Sequence, residues 1–131
     1  MKKYELTNDT LKVCDRTLHR IKSLISFDDV RVGELGGYVE DEKNLSHYGH
    51  AWVSSNAQVY GNAWVSSNAR VYGNARVYGN ARVYGNARVS ENAWVYDDAR
   101  VFGNAWVSGN ARVSENAWVY GNARVSGLTA N

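Results

Sequence analysis

From residue 49 to 126 the chain repeats one pattern of small apolar and polar positions every six residues. Thirteen consecutive hexapeptides, without insertion, follow Gly-Asn-Ala-(Arg or Trp)-Val-(Tyr or Ser). Ala and Val, two apart, point to one side of a short strand, while the fourth and sixth residues point to the other. A six-residue period holds one strand and one corner, and three such sides close a triangular coil of 18 residues. The pattern predicts an all-β chain, a parallel β-helix of about four to five coils with Ala and Val inside. At a strand spacing of about 4.8 Å the body is roughly 20 Å long.

The corners carry a second signal. The first place holds Gly but also Ser55, Ser67, Glu91, Asp97 and Glu115, so it is not expected to require a positive φ. The second holds Asn except at His50 and Asp98. Because Asn, Asp and His tolerate the left-handed region best, the second place is expected to be the left-handed corner, with each Asn stacked on the Asn 18 residues away.

The repeat divides the chain into a β-rich capping head (1–42), the hexapeptide body (43–126) and a tail (127–131). Residues 43–48, KNLSHY, form a degraded repeat. In the head, KYEL, LKV, TLHRIKSLISF and VRV read as strands, although Leu18, Ile21, Leu24 and Ile25 also suit a helix. The head is placed to cover the first coil, whose backbone would otherwise stay unpaired.

GELGGYVEDEKNLS (33–46), running into the GNARVYGNARVYG array, resembles hexapeptide-repeat proteins of bacteria and their phages. The resemblance implies a left-handed coil, and a phage or mobile-element protein, for instance one that blocks a host defence complex. More distantly, Val71 followed by Ala75 is similar to the hexapeptide acyltransferases, which implies the alternative of a degenerate acyltransferase-like trimer.

Composition narrows the chemistry. Proline is absent, and Cys14, the single cysteine, has no internal disulfide partner, which fits a reducing cytoplasm. Lys2 and Lys3 are followed by no apolar run of signal or membrane-spanning length. The net charge of +2 gives little support to nucleic acid as a partner. Three histidines, His19, His47 and His50, supply the only imidazoles, and no loop breaks the coils to wall a pocket, so no catalytic residue, cofactor or metal site is expected. Ice binding would favour flat ranks of Thr-like groups, and DNA mimicry an acidic face. Neither suits repeats that hold seven Arg and four acids.

What remains is the outward fourth place, which holds all five Trp, seven Arg and Gln58. Sorted by 18, the ladders read Trp52, Arg70, Arg88, Trp106, Arg124; Gln58, Arg76, Trp94, Arg112; and Trp64, Arg82, Arg100, Trp118. Two uses compete. Arg stacked on Trp one coil away stabilises a sheet without any partner. Exposed Trp, Tyr and Arg are also the composition of interface hot spots. A protein partner is expected at Arg70, Arg88, Arg82, Arg100, Trp94, Trp106 and Trp118, with the Arg70–Arg88 and Arg82–Arg100 pairs forming twin positive clefts flanked by Tyr72 and Tyr84. Self-association is expected end to end, as a homodimer, through an open last coil near Val113, Val119 and Val125.

Overall fold

The computed structural model describes residues 2–127 together with 129 and 130. The body is a left-handed parallel β-helix of about five coils. Each hexapeptide contributes a two- or three-residue strand, and every strand pairs in parallel with the one 18 residues on, as Val89 does with Val71 and Val107. The inward Ala and Val from Ala51 to Val113 are wholly buried, forming one continuous core.

Three sheets make the three sides. The Trp52 face holds strands Trp52–Val53, Arg70–Val71, Arg88–Val89, Trp106–Ser108 and Arg124–Ser126. The Trp64 face holds Trp64–Val65, Arg82–Val83, Arg100–Val101 and Trp118–Val119. The Gln58 face is longer, because the head adds three strands to it: β1 (Tyr4–Val13), β2 (Arg16–Ser23) and β3 (Leu35–Val39). β1 and β2 form a hairpin whose turn residues, Cys14 and Asp15, both have positive φ. β3 then runs parallel to Gln58–Val59.

The head differs from the sequence expectation in three places. KYEL and LKV belong to one strand, broken only by a register shift between Leu6 and Thr10. The Leu18–Ile25 stretch is extended through Ser23, since its backbone pairs with β1 on one side and β3 on the other. VRV is not a strand, whereas LGGYV is. Gly36 and Gly37 are needed there by close approach: a Cβ would stand 2.5 Å from the Val53 oxygen and 2.7 Å from that of Ala57.

The left-handed corner falls on the first place, not the second. Gly61 and Gly85 have φ of 69°, Ser67 61° and Glu91 58°, while no Asn of the repeats has positive φ. From Ala57 to Ala123 each Ala amide donates to the carbonyl of the preceding sixth-place residue, as Ala63 does to Tyr60 at 3.4 Å, so the corner is a β-turn whose first central residue alone is left-handed. Asn still forms the expected ladder: Asn62 donates to Asn80 Oδ1 at 3.3 Å and Asn86 to Asn104 Oδ1 at 3.3 Å.

Candidate partner-binding faces

The parallel register brings the outward residues together as sorted: Arg70 beside Arg88, and Arg82 beside Arg100. Trp106 takes the Arg88 and Arg124 guanidinium groups at 5.9 and 5.2 Å from its ring centre, and Trp94 those of Arg76 and Arg112 at 5.5 and 4.0 Å. Arg82 lies over Trp64 at 5.7 Å and Arg100 over Trp118 at 5.6 Å. Sixth-place rings stack beside them, Tyr60 on Tyr78 on Tyr96 at 5.1 Å each. Burial, and then the neighbouring Tyr60 and Tyr96, push the Tyr78 hydroxyl up to about 12. These contacts are the sheet-stabilising role of the ladders.

The residues expected to bind a partner do not share one surface. Trp94 lies on the Gln58 face, Arg70, Arg88 and Trp106 on the Trp52 face, and Arg82, Arg100 and Trp118 on the Trp64 face. The clefts on the last two faces are unequal.

On the Trp52 face a groove of about 670 Å³ runs past Arg70, Tyr72, Asn86 and Arg88, but Asp28 and Asp29 of the head form one wall. Arg70 donates to Asp28 Oδ2 and to Asp29 Oδ1, each at 3.0 Å. The hydrogen bond and charge of Arg70 hold the Asp29 carboxyl below its usual range. Arg70 is therefore neutralised within the chain, and the expected positive cleft is not present there. Trp52, expected to stand outward, is 1% exposed, because Phe27 and Tyr4 meet its ring edge-on at 5.5 and 6.4 Å.

The Trp64 face is uncovered. Arg82, Arg100 and Trp118 line a groove of about 410 Å³ together with Asn62, Asn80, Asp98 and Asn116; Tyr84, expected at its flank, instead stacks on Phe102 at 5.0 Å. A second groove, of about 490 Å³, lies against Leu45, Tyr48 and Trp64. Tyr48, Trp64 and Tyr120 were not among the expected contact residues. Tyr48 was legible, being 18 residues before Ser66 in the sixth-place ladder that ends at Tyr120.

The histidines lie in the head and at its junction with the body. The Lys3 amide donates to His47 Nδ1 at 3.1 Å, so His47 carries its proton on Nε2 and donates it to Glu42 Oε1 at 2.7 Å. That bond, with Lys2 adding to it, lowers the Glu42 pKa. His19 Nδ1 donates to the Thr7 carbonyl at 3.0 Å, and His50 Nδ1 lies 3.1 Å from Asp28.

At the far end of the coils Val113 is not at an open edge, since Arg112–Val113 pairs with Thr129–Ala130 of the tail. Val119 is 5% exposed and Val125 partly buried. Among the described residues the strands holding them pair on one side only.

Among those residues no helix is long and apolar enough to cross a membrane. No curated protein matches the chain. The YdcK beta solenoid repeat family model matches it in five overlapping stretches, 57–73, 69–83, 81–97, 93–109 and 105–121, which together with the parallel coils make the chain a β-solenoid repeat protein.

Proposed function

We propose that the protein is a non-enzymatic interaction module that binds a protein partner through its Trp64 face. One observation carries this reading. The four most exposed large aromatic side chains, Tyr48 (83%), Trp118 (58%), Tyr120 (58%) and Trp64 (41%), all belong to that face or its upper rim. They surround two arginines that have no ion-pair partner among the described residues. Aromatic rings around arginine are the composition of interface centres, where a few such side chains carry most of the binding energy. Ladder contacts do not require exposure: Trp94 and Trp106 make two guanidinium contacts each while partly buried.

The histidine bonds within the head and its junction support a non-enzymatic role. A phage or mobile-element setting, with a host complex as partner, rests on the sequence resemblance alone. A second copy adding to strands Trp118–Val119 and Arg124–Ser126 belongs to the same proposal.

The test is quantitative capture from host extract with tagged wild type, Trp118→Ala and Arg88→Ala, each matched for melting temperature. A partner retained by Arg88→Ala and lost by Trp118→Ala supports the reading. Retention by both variants overturns it.

A further inference from the structure

The Trp52 and Trp64 faces carry the same outward ladder. Trp52, Arg70, Arg88 and Trp106 follow one another in parallel register on one. Trp64, Arg82, Arg100 and Trp118, each two hexapeptides later in the chain, do so on the other. What differs is what lies against them.

On the Trp52 face the chain occupies its own ladder. Phe27 and Val30 exchange backbone hydrogen bonds of 2.9 and 2.8 Å, which close Phe27-Asp28-Asp29-Val30 into a two-residue turn. Both of its apolar residues are buried, with the Phe27 ring edge-on to Trp52. Both aspartates grip the Arg70 guanidinium. An aromatic residue, two acids and an aliphatic residue thus act together as a bound ligand for the first half of a Trp-Arg-Arg-Trp ladder. Phe27, together with Tyr4 of β1, removes the indole from water, and the carboxylates form charge-assisted bonds to the planar guanidinium.

On the Trp64 face no described residue plays that part. Trp64 is 41% exposed where Trp52 is 1% exposed. The two grooves of this face meet, since Asn62 and Arg82 line both, so an apolar bed at Trp64 and Tyr48 continues into a cationic one. Two charge differences bear on what would fit. Asp98 stands where the Trp52 face has Asn86, which makes the Arg100 side less positive and directs an acidic ligand to Arg82, the counterpart of Arg70. At the rim of the apolar groove Glu42 is paired with Lys2 at 3.2 Å, which leaves the charge of Lys43 to favour an acidic ligand.

We propose, resting on the partner-binding reading above, that the Trp64 face binds an acidic turn of its partner. An apolar side chain of that turn covers Trp64, and two adjacent carboxylates engage Arg82. The contact repeats between molecules what Phe27–Val30 makes with Trp52 and Arg70 within this one.

The probe is a synthetic peptide copying residues 25–32, ISFDDVRV, with a control in which both aspartates are asparagine. It is titrated into the full-length chain while the five Trp indole N–H signals are followed by NMR. The expected result is a saturable shift at Trp64 with a dissociation constant on the order of 1 mM, as befits a short flexible peptide. Binding weakens about tenfold or more with the asparagine control and with Arg82→Gln, falls as salt is raised, and is unchanged in Arg88→Ala. Equal shifts by both peptides, no shift at Trp64, or a shift at Trp52 alone would overturn the inference. So would a Trp64 shift that grows with protein concentration in the absence of peptide, which would identify a second copy as the occupant. If Arg82→Gln unfolds the chain, the comparison of the two peptides alone decides. If the peptide fails while capture from extract still depends on Trp118, the acidic turn falls and the partner-binding face stands. If capture is also indifferent to Trp118, both fall.

Discussion

The ammonium group of Lys3 donates to the carbonyl of Ala51 at 2.6 Å, so a buried cation of the head caps the first coil of the body. It also reaches the Gly49 carbonyl at 3.4 Å and lies over the Phe27 ring. Tyr4 continues the cap, its hydroxyl donating to Leu45 O at 2.6 Å and to Glu42 O at 3.0 Å.

This cap makes stability depend on alkaline pH. Burial, and then the charge of Arg70, lower the Lys3 pKa from 10.5 to about 8. The unfolded chain then holds this proton more tightly than the folded one, so the Lys3 contribution rises with pH between about 8 and 10.5. Tyr4 and Tyr78 act in the opposite sense. Their pKa values are raised, chiefly by burial, so above about 10 the unfolded phenols ionise first and stability falls. Urea midpoints should climb from about pH 8 to about pH 10 and drop beyond it, and Lys3→Met should remove the climb while leaving the drop.

Val89→Asp should abolish folding. Val89 is 0% exposed between Val71 and Val107, in a core of small side chains that cannot reorganise around a carboxylate. Burying that unpaired charge costs several kcal/mol, comparable to the whole stability of a domain. Val125→Asp, where the core is only partly closed, should leave a folded protein with a lower melting temperature. Circular dichroism on the pair checks the gradient, and equal losses would contradict it.

Gly85→Val should destabilise far more than Asn86→Ala. At Gly85, φ is 69° and a Cβ would stand 2.9 Å from the Gly103 nitrogen, so a β-branched residue meets both backbone strain and a clash, together costing about 3 kcal/mol. Asn86 loses only exposed amide bonds to Asn68 and Asn104, about 1 kcal/mol. Chemical denaturation of both variants measures the difference. The reverse order would move the left-handed corner back to the second place.

Arg70→Ala and Arg88→Ala should separate, although the two residues are neighbours in one ladder. Arg88→Ala loses one guanidinium–indole contact and relieves a like-charge neighbour, leaving stability within about 0.5 kcal/mol. Arg70→Ala removes the guanidinium from both aspartates of the head turn, leaving Asp28 only its contact with His50, at a cost of about 1 kcal/mol given their exposure, and should expose Trp52 with a red shift of its fluorescence. Identical spectra for the two variants would show that the turn does not depend on Arg70.

The six-residue period determined the coil, its core and every ladder pair, because repeat units of one length, each a short strand and a corner, leave a single register. Arg70 beside Arg88 and Arg82 beside Arg100 could be written down from residue numbers. Turn geometry was less legible, since Ser, Asp and Glu can occupy a left-handed position when the surrounding hydrogen bonds hold it. The choice of face lay beyond the repeat altogether. Trp52 and Trp64 sit in nearly identical hexapeptides, GHAWVS and GNAWVS, yet one is sealed and the other open. That difference is made by Tyr4, Phe27, Asp28 and Asp29, which lie more than 20 residues away in a head without periodicity. Only the tertiary structure decided it, because a local repeat specifies equivalent faces and a single non-repeating segment, packed against one of them, is what makes them unequal.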